Sequence, residues 1–217
     1  MNALITGGSR GIGKSISKYF NKKGINTIIP TRKELDLNSP SDIKLYVSTL
    51  PKINILINNA GINKVQNIEE VEYKDLLETF NINFFSSYLL CSALLPKFKE
   101  QNYGRIINIS SIWGTNIKAK RSTYAASKSS IHNLTKQLIP ETTGYNILSN
   151  TISPGYISTD LTYQNNSSED IKSIESNIPL NRMGTPKEIS KLTYYLAIKN
   201  SYINGQEIII DGGFSCQ

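Results

Sequence analysis

Cysteine, histidine and tryptophan are scarce in this chain of 217 residues, which has two Cys, one His and one Trp. Cys91, in an apolar stretch, and Cys216, near the end, provide neither a disulfide framework nor a cysteine metal site. No metal is expected. A Ser-His-Asp hydrolase would have to use His132, whose place on a helix after Lys128 suits a structural role at a surface or subunit contact. No apolar run approaches the roughly 20 residues of a membrane span. The opening residues lead straight into a strand and a glycine turn, which leaves no room for a signal peptide, so a cytoplasmic location is expected. Acidic residues number 17 against 24 Lys and Arg, giving a net charge of +7. The basic residues are scattered rather than gathered in a tract, which argues against a nucleic-acid partner.

What is present is an alternation of short apolar runs and amphipathic stretches. With 39% hydrophobic residues, a single domain over residues 1–217 has enough material for a core. The alternation predicts a doubly wound α/β fold of Rossmann type, a parallel sheet with helices on both faces. Strands are expected near 2–6, 27–30, 53–58, 105–110, 148–153 and 207–210. Helices are expected after the first glycines and over 41–49, 72–100, 123–139 and 186–198. Only Arg32 to Pro40 separate the second strand from the next helix. A parallel crossover needs about a dozen residues, so the usual third strand should be missing or a stub. Six strands with the second at the edge follow. The stretch 159–185, with Asn and Ser at its centre, reads as an irregular mobile loop or lid.

Between the first strand and first helix lies Thr6-Gly7-Gly8-Ser9-Arg10-Gly11-Ile12-Gly13. Glycines there permit a tight turn whose backbone N–H groups approach phosphate, and the helix N-terminus adds favourable partial charge. Gly7, Ser9, Arg10, Gly11, Ile12 and Gly13 are therefore candidate cofactor contacts. At the end of the second strand, where NAD sites place a carboxylate, the sequence has Thr31-Arg32-Lys33. Arg32, with Arg10, favours the 2′-phosphate of NADP over NAD. Asp36 falls late for a ribose contact and suits the adenine edge.

Tyr124 and Lys128 stand four residues apart on a predicted helix, hence on one face. The same short pattern recurs at Tyr19 with Lys23 and at Tyr195 with Lys199, so alone it says little. What distinguishes Tyr124 is Ser111, thirteen residues upstream at the carboxyl end of a strand, where open α/β sheets collect ligands. Trp113 reads either as a pocket wall or as simple packing. Lys118, Lys120 and Arg121 form a basic loop, either solvated or attractive to an anionic substrate or carrier.

Taken in order, Thr6-Gly7-x-x-x-Gly11-x-Gly13, Asn58-Asn59-Ala60-Gly61, Asn83, Ser111, Tyr124-x-x-x-Lys128, Pro154-Gly155-x-x-x-Thr159, Asn181 to Pro186 and Asp211-Gly212-Gly213 resemble the short-chain dehydrogenase/reductase family along nearly the whole chain. The shortened segment after Arg32 departs from the family pattern and puts its usual adenine pocket in doubt. The resemblance implies that Tyr124 is the general acid or base, and that Lys128 lowers the phenol pKa and holds the ribose. It implies that Ser111 polarises the substrate oxygen and that Asn83 positions a water in a proton relay. Asn59, Ala60 and Gly61 would line the adenosine side, and Pro154, Gly155, Ile157 and Thr159 the nicotinamide end. It further implies a homo-oligomer, a tetramer paired through the helices of 72–100 and 123–139.

The function expected is NADP-dependent hydride transfer on a small-molecule or carrier-bound carbonyl or secondary alcohol, a 3-oxoacyl-carrier-protein reductase being the commonest such relative. A sugar or polyol dehydrogenase is the rival substrate reading. A catalytically silent dinucleotide-binding regulator is a second class, disfavoured because Asn83, Ser111, Tyr124 and Lys128 are all present. A basic nucleic-acid-binding protein is a third.

Overall fold

Alternating side chains on short apolar strands explain why this chain builds two cores rather than one. In the computed structural model, which describes residues 1–164 and 166–216, β1 (Asn2–Ile5), β2 (Asn26–Ile28), β3 (Ile55–Asn58), β4 (Gly104–Ile109), β5 (Ile147–Pro154) and β6 (Glu207–Ile210) form a single sheet. Its order is β2-β1-β3-β4-β5-β6 and every pairing is parallel. Leu4, Leu56 and Ile106 point to one face; Ala3, Ile5, Ile55, Ile57, Ile107 and Ile109 point to the other. Burial on both faces is why these strands read as continuous aliphatic runs.

The first face is covered by α2 (Pro40–Thr49), α4 (Ser86–Glu100) and α5 (Ser122–Glu141), through Ile43, Leu94, Phe98 and Ile131. The second is covered by α1 (Gly11–Lys22) and α8 (Pro186–Tyr194), through Ile16, Phe20 and Ile189. Each such fully buried side chain contributes roughly 2–3 kcal/mol. The doubly wound fold, six strands and edge position of β2 match the sequence expectation. So does the missing strand: residues 32–38 form turns, and Leu35 alone among residues 31–40 is buried.

Three expectations need correction. The helix over 72–100 runs unbroken as expected but is not α throughout: α3 (Tyr73–Phe80) passes through a π turn at Asn81–Phe85 into α4, and α8 likewise passes into a π turn at Tyr195–Lys199. A π turn changes the hydrogen-bond partner from i+4 to i+5 over one turn only, too short a stretch for residue periodicity to show it. The stretch 159–185 is not simply irregular but carries α6 (Asp160–Gln164) and α7 (Ser168–Ser176). A reciprocal cap holds the start of α7: Asp170 N–H donates to Ser167 Oγ at 3.1 Å and Ser167 N–H donates to Asp170 Oδ2 at 2.9 Å. His132 is buried beneath the sheet end rather than at a surface. Among the described residues no helix is long and apolar enough to cross a membrane, and no group of His, Cys, Asp and Glu could hold a metal ion.

Candidate active site

A cleft of about 430 Å³ opens along the carboxyl ends of β1, β2, β3 and β4. Its floor is the glycine turn. Gly7 has φ +63° and a Cβ there would lie 2.8 Å from Ala60 Cα, so only glycine fits. Thr6 Oγ1 accepts from the N–H groups of Asn59 and Ala60 at 3.0 and 3.1 Å. Asn59 Nδ2 donates back to the carbonyls of Thr6 and Gly7 at 3.0 and 3.1 Å. These bonds lock the ends of β1 and β3 together and fix the turn.

The N-terminus of α1 differs from those of α2, α7 and α8, which Ser39, Ser167 and Thr185 cap with side-chain hydroxyls. Arg10 at that position makes no capping bond and no acidic residue occupies the first turn, so the N–H groups there retain no side-chain partner from the cap. Such an end is suited to phosphate. Arg10, Ser9, Gly11 and Ile12 line the cleft; at its outer end Arg32 and Asp36 do the same. Asp36 Oδ1 accepts from the N–H of Asn38 at 3.0 Å, which shapes the turn. Leu37 and Asn38 also line the cleft, and the residue pattern alone does not single them out. The missing strand is the available signal, since a stub after Arg32 has to close that end.

At the other end Ala60, Gly61, Tyr124, Lys128 and Thr159 line the same cleft. Lys128 is 3% exposed, and its Nζ donates to the Ile109 carbonyl at 2.8 Å. Burial pushes its pKa down to about 8. The ammonium lies 5.8 Å from the Tyr124 ring centroid. Burial also pushes the Tyr124 phenol above its ordinary value, while a hydrogen bond with Ser111 and the charge of Arg121 pull it back. In the chain by itself burial therefore outweighs the lowering that Lys128 was expected to supply. The Ser111 hydroxyl, at the end of β4, accepts from the Trp113 N–H at 3.2 Å.

The remaining sequence candidates lie behind the cleft wall rather than on it. Asn83, buried in the π turn, accepts from Ile62 N–H at 2.8 Å and donates to Ile62 O and Ser127 Oγ, both at 2.9 Å. It thereby ties the loop after β3 to α5. A Cβ on Gly61 would stand 3.4 Å from both Asn83 Oδ1 and Lys128 Nζ, so this glycine lets the backbone approach the lysine. Gly13 packs α1 on the turn: a Cβ there would meet Gly7 O at 2.4 Å. Gly155 is pressed against Asp211, whose Cβ would lie 2.6 Å from any Cβ added to the glycine. Pro154 ends β5, and Ile157, 5% exposed, bridges to Gly184.

An uncapped helix end facing two arginines, a glycine floor, and a lysine beside a tyrosine at the far end together fit a nicotinamide dinucleotide. The family model described as enoyl-(acyl carrier protein) reductase matches residues 31–215. The chain is 31% identical, over 97% of its length and 96% of the relative's, to the 3-oxoacyl-[acyl-carrier-protein] reductase FabG of Vibrio cholerae serotype O1. It is similar to the solved structure of a 4-hydroxyisoleucine dehydrogenase mutant complexed with NADH and succinate, with TM-score 0.94, 27% identity, and coverage of 100% and 99%. It is also similar to ElxO with NADP bound, with TM-score 0.91, 28% identity and the same coverage.

The chain belongs to the short-chain dehydrogenase/reductase family. Within that family it is a FabG-like, NAD(P)-dependent oxidoreductase that acts on CH–OH groups.

Proposed function

We propose that this protein is an NADPH-dependent reductase of 3-oxoacyl groups presented on an acyl carrier protein, with Tyr124 as the proton donor. The observation that carries the reading is the arrangement at the end of β4, where Tyr124, hydrogen-bonded to Ser111, and buried Lys128 line one end of a cleft whose other end holds Arg10 and Arg32. Likeness to carrier-protein reductases over nearly the whole chain supports the substrate class. The two arginines support NADPH over NADH.

When bound, the reduced nicotinamide supplies the hydride. The protein's part is the proton. A phenol whose pKa is raised by burial is neutral at pH 7, so Tyr124 carries the proton that the substrate oxygen receives. Ser111 Oγ–H donates to the same oxygen as negative charge develops on it. The Tyr124 phenolate left behind is stabilised by the charge of Arg121 and by the Lys128 ammonium. Lys128 also stands where ribose hydroxyls would lie, under Gly61.

Residues 1–217 act as one domain in this reading, in the cytoplasm. The protein works in this reading as a homo-oligomer, a tetramer, and the exposure of Leu77, Phe85 and Tyr88 on α3, the π turn and α4 supports a contact between copies there. The test is turnover with NADPH and with NADH on 3-oxoacyl thioesters, sugars and simple ketones. Thioester reduction with NADPH is the expected result; turnover confined to sugars or polyols, or none at all, overturns the substrate assignment.

A further inference from the structure

Beside the cleft lies a second concavity that the reaction described so far does not use. Its aromatic wall is assembled from three distant parts of the chain: Trp113 just beyond Ser111, Tyr156 just beyond β5, and Phe214 after the glycines that follow β6. The rings meet edge to face in all three pairings, with centroids 6.0, 5.8 and 5.5 Å apart. Three mutually edge-on rings hold one another rigidly. The opposite wall is α7, through Ser173 and Ile174.

Among the described residues the one cation lining this chamber is Lys118, from the basic loop between Ser111 and Tyr124. Its ammonium stands 5.1 Å from the centroids of both Trp113 and Tyr156 and donates to the Tyr156 hydroxyl. Among the described residues no carboxylate comes within 4.0 Å of it. Asp170, the acid lining the chamber, accepts from the Ser167 N–H and hydroxyl through Oδ2 alone, each at 2.9 Å, and with these bonds the Lys118 charge helps to hold its pKa down. The Tyr156 hydroxyl, accepting from Lys118, keeps its own proton to give. The ammonium is thus held between the Trp113 ring and the Tyr156 hydroxyl, with its direction fixed and Asp170 beyond ion-pair distance.

We propose that this chamber is the distal substrate subsite, in which Lys118 and the Tyr156 hydroxyl bind an anionic oxygen group, carboxylate or phosphate, joined to the reacting carbonyl by an apolar segment that lies against Trp113 and Phe214. The proposal deepens the carbonyl-reductase reading and rests on it for the word substrate. The geometry suits it in two ways. The Trp113 N–H bond to Ser111 Oγ ties the aromatic wall to the hydroxyl that faces the reacting oxygen. A carboxylate or phosphate also accepts two donors at once, and Lys118 with Tyr156 offers two side by side.

Trp113 is the only tryptophan in the chain, so its emission reports on this chamber alone. The first measurement is a fluorescence titration with 4-oxopentanoate, its methyl ester and inorganic phosphate, on the unmodified protein, Lys118→Met and Lys118→Arg. Methionine keeps an unbranched stem over the rings and removes the charge. A saturable change with the two anions, about tenfold or more weaker in Lys118→Met and restored in Lys118→Arg, is expected from loss of a charge-assisted bond. Lys120→Met removes the same charge from an exposed position on the same loop and should leave the titration as it was.

The second measurement compares kcat/KM, with NADPH, for 4-oxopentanoate against its methyl ester and for 3-oxobutanoyl-coenzyme A against 3-oxobutanoyl-N-acetylcysteamine. Preference for the charged member should arise in KM and fall towards unity in Lys118→Met; whichever pair shows it tells a free carboxylate from a phosphate-bearing thioester. Anion binding that depends on Lys118 without turnover of any compound would retain the anion site and sink the reductase reading. Turnover with no anion preference, and titrations indifferent to Lys118, would overturn the subsite and leave the reductase reading standing.

Discussion

His132 Nε2 lies 2.8 Å from the Ser110 hydroxyl, and the direction of that bond is settled by the hydroxyl's own proton, which goes to the Lys128 carbonyl at 3.0 Å. The imidazole must therefore donate from Nε2. The same Nε2 also lies 3.3 Å from both Ser153 Oγ and Glu207 Oε1, while Ser153 donates to that carboxylate at 2.6 Å. The one histidine thus pins the strand end that carries Ser111 to the backbone of Lys128 and to β6.

Replacing it should cost stability before it costs chemistry. His132→Ala leaves the Ser110 oxygen without its donor and opens a gap beneath Gly114, whose absent Cβ would lie 2.7 Å from the ring. A loss of about 3 kcal/mol is expected in urea denaturation at pH 8. Burial holds the imidazole pKa below its ordinary value. Between the ordinary value and the lowered one the unfolded chain binds the proton and the folded chain does not. The stability this group contributes is therefore full above about pH 6.5 and drains away on acidification below it. His132→Ala should lose that part of the acid sensitivity; an identical pH profile in the variant would refute the assignment.

Lys128 gives the opposite kind of prediction. With its pKa held near 8 by burial, the charged amine is penalised in the folded chain at neutral pH. Unfolded, it keeps its proton to about pH 10.4, so stability from this group grows as pH rises from about 8 to 10.4. Lys128→Met should accordingly raise the stability of the cofactor-free protein at pH 7 by about 2 kcal/mol, net of the lost bond to Ile109. The gain should shrink steadily towards pH 10, while turnover is lost throughout. Thermal melts at pH 7 and pH 10 decide it, and a variant less stable at pH 7 would count against it.

Tyr124→Phe removes one hydroxyl and keeps the ring, so NADPH binding should persist while turnover drops by roughly two to four orders of magnitude. Tyr19→Phe and Tyr195→Phe are the controls, since those tyrosines share the short motif but do not line the cleft. Unchanged turnover in a folded Tyr124→Phe protein would remove Tyr124 from the mechanism.

Arg32→Asp replaces attraction for a 2′-phosphate by repulsion. The dissociation constant for NADPH should rise by on the order of 100-fold while that for NADH changes little. Equal affinity of the unmodified protein for the two cofactors would speak against the arginines as the reading heads.

An oligomer should show in light scattering as a mass above that of the monomer, and Phe85→Glu, on the exposed face of the π turn, should lower it. A monomer in the unmodified protein at micromolar concentration ends that proposal.

Much of the fold is legible in the sequence because strands buried on both faces leave unbroken Ile and Leu runs, and because the nine residues from Arg32 to Pro40 are too few for another parallel strand. Clustering of the cleft residues around Tyr124 and Lys128 follows from their place at strand ends. Other features escape for physical reasons. A π turn changes hydrogen bonding without changing which residues are apolar, so Asn81–Phe85 reads as plain helix. His132 reads as a surface residue because one polar side chain on a helix gives no hint of the hydroxyls awaiting it on β4 and β5. The cap from Ser167 to Asp170 is there to be read, but the surrounding Asn and Ser outweigh it. The wall of Trp113, Tyr156 and Phe214 joins residues up to 101 positions apart and has no local signature.

The turns that replace the third strand also separate two kinds of choice. Residues 31–38 hang from a three-residue edge strand and are moored by Leu35, whereas Ser111, Tyr124 and Lys128 are set by β4 and α5 in the middle of the molecule. Little that happens to the first group need disturb the second. Cofactor preference is in that sense an interchangeable part: a transplanted eight-residue segment that keeps a leucine at its fifth position could change which reductant pool the protein draws on while the reacting centre stays as it is.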